Sequence, residues 1–245
     1  MESYLISIAG NIAAGKSTLT KALEKRTGGT IVSFLEQVDY VKKHGYLEKY
    51  YQAVSSYDRL KGTKLDGKDP ERFLRIKEEA EYWGYKIQET YFLSRLLDLG
   101  VLNELLREGQ SVAQDRSIYE DRIFTKNSNN NEYITDRDYR KYQQLFKLVM
   151  TNKPTPDLII YLESDVGALK NRILGRSRGE ETDLAHPENK YLSNLNDLYR
   201  PWIMKCGFPY LIIDTEAIDF RTEDGLEQVV DGIVRRVPGS GRLFE

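Results

Sequence analysis

Near the start of the chain, Gly10-Asn11-Ile12-Ala13-Ala14-Gly15-Lys16-Ser17 has the spacing G-x4-G-K-S. Glycines at its two ends let backbone N–H groups wrap a polyphosphate, and a following helix would add the positive end of its dipole. Lys16 is placed to reach β/γ oxygens, and Ser17 offers a hydroxyl to Mg²⁺. In a random chain of this composition the pattern is expected about 0.01 times. The apolar run before it and the helical pattern after it supply the strand and helix that the motif needs. ATP or GTP binding is the expected chemistry, against a glycine-rich turn with a surface lysine.

Three other groups of residues bear on what the phosphates are for. Glu36 closes a second apolar run, where an open α/β sheet places its ligand crevice, and a carboxylate there can accept a proton from a hydroxyl. The same acid would also suit a solvated strand end. Asp115-Arg116-Ser117 follows a third short run. The acid can join a Mg²⁺ shell and the arginine can steady a phosphate, although Ser117 with Asp121 also resembles a helix start. Arg172, Arg176 and Arg178 run into Glu180-Glu181, and Gly175 and Gly179 loosen the segment. Arginines on a lid spread charge over a transferring phosphoryl group; a solvated charged face is the plain alternative. A rival motif, Gly175-Arg176-Ser177-Arg178-Gly179, fits the G-x-S-x-G elbow of hydrolases. That elbow needs a preceding strand, whereas the pattern before it is helical and one histidine, His186, lies downstream.

The elements that must position these groups follow from periodicity. Strands are expected at 4–9, 30–35, 111–114, 157–162 and 209–213. Helices are expected at 16–26, 91–107, 139–150 and 166–174, with a last one striped by Leu226, Val229, Val230, Ile233 and Val234. Strands alternating with helices imply a parallel sheet covered on both faces. Residues 46–85, rich in charge and tyrosine, read as helical excursions, 125–138 as a polar loop and 239–245 as a frayed tail. With 245 residues and no composition break, one domain is expected.

Composition narrows the class further. Thirty-six Lys and Arg against 38 Asp and Glu give a formal charge of -2, which argues against a broadly basic nucleic-acid surface. A lone Cys206 excludes an intrachain disulfide, and with two histidines it leaves little for a zinc site. Apolar runs are too short to span a bilayer, and residues 1–9 read as a strand rather than a leader. A cytoplasmic or other reducing compartment is expected.

Together, GNIAAGKST, QDRSIYEDRIF, RILGRSRGEE and IQETYFLSRL make the chain resemble the deoxynucleoside kinases, nearest the deoxycytidine, deoxyguanosine and deoxyadenosine branch. The resemblance covers most of 5–220, with an apparent insertion at about 52–82. It implies a P-loop kinase fold with a five-stranded parallel sheet and an arginine-rich lid at about 172–190. It implies transfer of the ATP γ-phosphoryl group to a deoxynucleoside 5′-hydroxyl, a homodimer, and these roles. ATP lies on Gly10, Asn11, Ile12, Ala13, Ala14, Gly15, Lys16, Ser17 and Thr18, with lid arginines Arg172, Arg176 and Arg178 around its phosphates. Ser17 and Asp115 hold Mg²⁺. Glu36 is the base, with Arg116 and Lys16 beside the reacting groups. Gln88 meets the base edge, Arg95 and Asp121 form the charged end of its pocket, and Glu181, helped by Tyr191, takes the 3′-hydroxyl.

Tyr51 is expected at the same hydroxyl, with Tyr57, Tyr82 and Tyr85 as rivals. Gln88 and Arg95, seven residues apart, fall on one helical face. A buried Arg–Asp pair leaves less room for a 5-methyl group, so deoxyadenosine or deoxyguanosine is expected first and deoxycytidine next. The family usually has proline after the base glutamate; Gln37 stands here. A nucleoside monophosphate kinase and a non-catalytic protein with the kinase fold are the alternatives.

Overall fold

The computed structural model describes residues 3–36, 41, 43–61, 69–151, 153–176, 179–186 and 189–244. Its centre is a parallel sheet of β1 (Leu5–Gly10), β2 (Ile31–Phe34), β3 (Ser111–Asp115), β4 (Leu158–Glu163) and β5 (Tyr210–Asp214). The spatial order is β2-β3-β1-β4-β5. β1, β3 and most of β4 are buried throughout, as apolar strands covered on both faces must be. Winding reverses at β1, between β3 and β4, which opens a crevice at the carboxyl ends of the strands. Register aligns the chemistry there: Phe34 pairs with Gln114, Ile8 with Asp115 and Gly10 with Leu162. The ends of β1 and β3 and the exit of β2 therefore share one edge.

Helix α1 (Lys16–Arg26) buries Leu19 and Leu23 on the sheet. Helices α2 (Tyr46–Lys61) and α3 (Pro70–Arg107) then form an antiparallel pair, so the described residues at 46–61 and 70–85 are helical as expected. The apolar periodicity predicts a helix only from Tyr91, yet α3 begins at Pro70, with the Asp69 carboxylate accepting from the Arg72 amide. Its first half is dense in charge, and is ordered by partners such as Tyr57 against Phe73. At Gly84 the Tyr133 carbonyl oxygen comes within 1.8 Å of where a Cβ would be, so only glycine admits this approach.

The polar loop expected at 125–138 is replaced by α4 (Asp121–Asn130) and the start of α5 (Asp136–Val149), whose first turn is capped by Thr135. Asn127 and Ser128 have poor helix propensity, but both are buried, and Ser128 accepts from Gln88 at 3.1 Å. The tail is also not frayed. A 3-10 turn at Ser240–Leu243 buries Leu243 and Phe244, and Arg26 donates to the Phe244 carbonyl at 3.0 Å. The remaining helices are α6 (Val166–Arg176), α7 (Tyr191–Ile203) and α8 (Glu223–Arg236). No helix among the described residues is long and apolar enough to cross a membrane.

Candidate active site

The phosphate loop leaves β1 at Gly10 and enters α1 at Lys16. Ala13 and Gly15 have positive φ, 65° and 101°, which turns successive peptides around a concavity. Gly15 has a second reason to be glycine, since a Cβ would lie 2.9 Å from the Phe220 ring. The Asn11 side chain ties the loop to α7, donating to Leu192 O at 2.9 Å and Asn196 Oδ1 at 2.7 Å. Lys16 Nζ lies under the loop and donates to Gly10 O at 3.0 Å and Asn11 O at 2.8 Å. Burial and the nearby Arg116 pull its ammonium down to about 8.

One cleft collects residues from distant parts of the chain. Ile12, Ala13, Lys16 and Ser17 come from the loop and α1, Glu36 from the β2 exit, and Tyr51 from α2. Gln88, Tyr91 and Arg95 come from α3, Asp115 and Arg116 from β3, and Arg176, Glu181 and Tyr191 from the lid side. Of the four tyrosines weighed for the sugar hydroxyl, Tyr51 lines this cleft. Tyr57 instead donates to Glu132 at 2.6 Å, Tyr82 is 61% exposed, and Tyr85 stands under Lys141.

Charge in the cleft is tightly paired. Arg95 bonds Asp121 through Nη1 and Glu36 through Nη2, with its guanidinium 5.0 Å from the Tyr91 ring. Arg116 approaches Glu36 with Nε at 3.3 Å and gives Nη1 to Glu120 at 2.6 Å. Burial alone would raise the Glu36 carboxyl, but the charges of Arg116, Arg95 and Lys16 outweigh it and hold the group at about 2. Asp121 is buried behind Arg95, off the cleft wall, and burial pushes it up to about 7 against the pull of Arg95 and Arg116. Arg116 has φ 65°, a backbone conformation that non-glycine residues hold at a cost of about 1–3 kcal/mol and that gathers at functional sites.

Ser17 Oγ contacts Asp115 Oδ2, and Asp115 Oδ1 is buried without a hydrogen-bond partner among the described residues. Two adjoining hard oxygens with an unused acceptor fit Mg²⁺, which takes few protein ligands when substrate phosphates complete its shell. The described residues hold no group of three or more His, Cys, Asp or Glu that could hold a metal ion.

The lid arginines separate. Arg176 reaches the cleft wall. Arg172 instead bonds Ser164 at 3.1 Å, Thr215 at 3.2 Å and Glu216 at 3.1 Å, beyond the ends of β4 and β5. Arg178 and Gln37 lie outside the described residues. The segment before the G-x-S-x-G pattern is helix α6, not a strand, and Ser177 is outside the described residues. Glu120, Tyr199 and Phe124 have no role in the expectations drawn from sequence. Glu120, four residues after Arg116, carried a usable signal in that i,i+4 spacing.

Known proteins resemble this chain over most of its length. The family model described as deoxynucleoside kinase matches residues 6–237. A deoxyadenosine/deoxycytidine kinase of Bacillus subtilis (strain 168) is 33% identical over 239 residues, covering 95% of this chain and 92% of that protein. A deoxyadenosine kinase of Dictyostelium discoideum is 27% identical, covering 94% and 79%. The solved deoxyadenosine kinase of M. mycoides with dCMP and dCDP shares the fold at TM-score 0.69 and 23% identity, covering 94% of this chain and 98% of that one. The chain belongs to the deoxynucleoside kinase family, enzymes that phosphorylate deoxynucleosides with ATP in nucleotide salvage.

Proposed function

We propose that this kinase prefers deoxyadenosine or deoxyguanosine, accepts deoxycytidine next, and works with Mg²⁺ as a cytoplasmic homodimer. The observation that carries the base preference is Arg95, fixed between Asp121 and Glu36 on the Tyr91 ring. Arg95 Nε, on the cleft wall, has no hydrogen-bond partner among the described residues, and a polar base edge would supply one. Gln88 donates to Ser128 and accepts from Thr125 at 3.5 Å, which leaves its amide one N–H and one lone pair. That complements a base edge presenting both a donor and an acceptor, while Tyr91 and Arg95 fill space a 5-methyl group would need.

In this reading the triphosphate lies on Gly10–Ser17, and Lys16 exchanges its two carbonyl partners for phosphate oxygens. Glu36, charged at neutral pH, accepts the 5′-hydroxyl proton as the phosphoryl group moves. Arg116 faces the transferring group from the end of β3, and Arg176 closes from the lid. Tyr51 and Glu181 hold the sugar 3′-hydroxyl, with Tyr191 beside them. Arg172, bonded to Glu216, must change partners if it joins the phosphates. Ser17 and Asp115 would hold Mg²⁺, which neutralises phosphate charge when bound. Arg95 and Arg116 already face Glu36, Asp121 and Glu120, so neither is spare for the phosphate of a nucleotide acceptor. A neutral nucleoside fits better.

The deciding experiment compares kcat/KM for deoxyadenosine, deoxyguanosine, deoxycytidine and thymidine with ATP. A purine deoxynucleoside is expected to rank first; thymidine as the best substrate would overturn the base assignment. The same assay in EDTA is expected to stop and to recover on adding Mg²⁺, and turnover that ignores EDTA would remove the metal. Leu93, Leu97 and Val101 form an exposed apolar stripe on α3, near half exposed or more, which supports self-association through that helix. Light scattering should give twice the 28.4 kDa chain mass; a monomer at micromolar concentration would refute it. Cell fractionation into the membrane pellet would refute the cytoplasmic placement.

A further inference from the structure

A densely bonded polar group lies behind the cleft wall. Glu120 is fully buried, and its Oε1 accepts from the Gly10 amide at 3.2 Å, from Arg116 Nη1 at 2.6 Å and from the Tyr199 hydroxyl. Tyr199, on α7, also reaches Gly10 O at 2.8 Å and accepts from Arg116 Nη1 at 3.0 Å. Its ring cannot swing away. It stacks on Tyr161 of β4 at 5.3 Å and 13°, and meets Phe124 and Trp202 edge-on at 6.3 Å. Phe124 in turn lies 4.3 Å beneath the Arg116 guanidinium. Arg116 is thus held on one face by an aromatic ring and at one nitrogen by a carboxylate, from a backbone conformation its surroundings must impose.

The network joins both sides of the reaction. Gly10 opens the phosphate loop, and its N–H and C=O are both held by this group. Arg116 is the arginine facing the transferring phosphoryl group. Glu120 holds Arg116 Nη1 at 2.6 Å, the shorter of its two carboxylate contacts, while Nε stands 3.3 Å from Glu36. Without that counter-charge, Arg116 would turn to Glu36 and compete with the hydroxyl for it.

We propose that Glu120 and Tyr199 are positioning residues that bind the Arg116 guanidinium and the Gly10 peptide into one rigid unit. The phosphate loop and the phosphoryl-facing arginine then keep a fixed relative geometry through transfer. The proposal rests on the reading of Arg116 given above, and acts through Arg116 rather than on substrate.

A double-mutant cycle tests it. Tyr199→Phe removes one oxygen and keeps the ring contacts, and is expected to lower kcat about 10-fold, the loss of one well-made hydrogen bond. Glu120→Gln is expected to lower kcat about 10²-fold, the scale of a small misplacement of a reacting group. Nucleoside KM should move by less than about 3-fold in both, as for an interaction made chiefly in the transition state. In an Arg116→Ala background, neither change should lower kcat further. Full additivity in that background, or wild-type kcat in both single variants, would overturn the proposal. If Glu120→Gln does not fold, the Tyr199→Phe cycle decides alone. Near-normal kcat in Arg116→Ala itself would overturn the reading of Arg116 and this proposal with it, a result distinct from additivity.

Discussion

Replacing Glu36 with glutamine is expected to lower kcat by about 10²- to 10⁴-fold, the span of a lost general base, with little change in ATP binding. Glutamine keeps the shape and loses the charge, so the effect reports the carboxylate, as proton acceptor and as partner of Arg95 and Arg116, rather than packing. The environment makes the carboxylate unusual among bases. Arg116, Arg95 and Lys16 hold it at about 2 against burial, so it is charged throughout the neutral range. Such a group is a weak base in the empty cleft. It suits a loose phosphoryl transfer, in which the hydroxyl proton leaves late and positioning counts for more than basicity.

The pH profile separates it from its neighbours. Lys16, at about 8, is charged below that pH, so kcat/KM for ATP should fall as pH rises through about 8. The kcat limb should lie higher, because bound phosphate favours the charged ammonium. An acid limb near 6 to 7 would belong to Asp98 or Asp121, which burial raises to about 6 and about 7. That limb should persist in Glu36→Gln if it belongs to them. Near-normal turnover in Glu36→Gln would move the base elsewhere.

How far such a site can be read from sequence depends on whether its parts are local. The phosphate loop is contained in Gly10–Ser17, and its strand and helix flank it directly, so spacing alone reveals it. Glu36 and Asp115-Arg116 are each anchored to the end of an apolar run, and the sheet register then brings them together. Non-local partnerships leave no such trace. Glu120 and Tyr199 meet across 79 residues, and Arg172 meets Thr215 and Glu216 across more than 40. Nothing in the arginine pattern distinguishes Arg172, drawn to Glu216, from Arg176 on the cleft wall. Helix α4 was hidden for a related reason. Asn127 and Ser128 read as loop because their helical role depends on burial against α3 and the cleft, a tertiary fact that overrides propensity. The length of α3 was hidden by the charged surface of its first half.

Asp121→Ala tests the other end of the pocket, and is expected to cost about 3–5 kcal/mol of folding stability, as breaking a buried ion pair does. The Arg95 and Asp121 side chains are 8% and 3% exposed, so little solvent can replace the lost carboxylate. Urea denaturation at pH 8, where Asp121 is charged in the wild type, reads the loss. A kinetic effect should accompany it. Arg95 would keep a single counter-charge, Glu36, and would draw that carboxylate away from the hydroxyl, so kcat should fall together with stability. Arg95→Leu combined with Asp121→Ala should recover most of the stability, because the buried guanidinium that had lost one of its two carboxylates is gone. The double variant should also lose discrimination against thymidine, since the guanidinium that narrows the pocket is removed. A cost below about 1 kcal/mol for Asp121→Ala, the range of an exposed pair, would mean that Arg95 is held by Glu36 alone. The pocket end would then owe its rigidity to the same carboxylate that serves the hydroxyl.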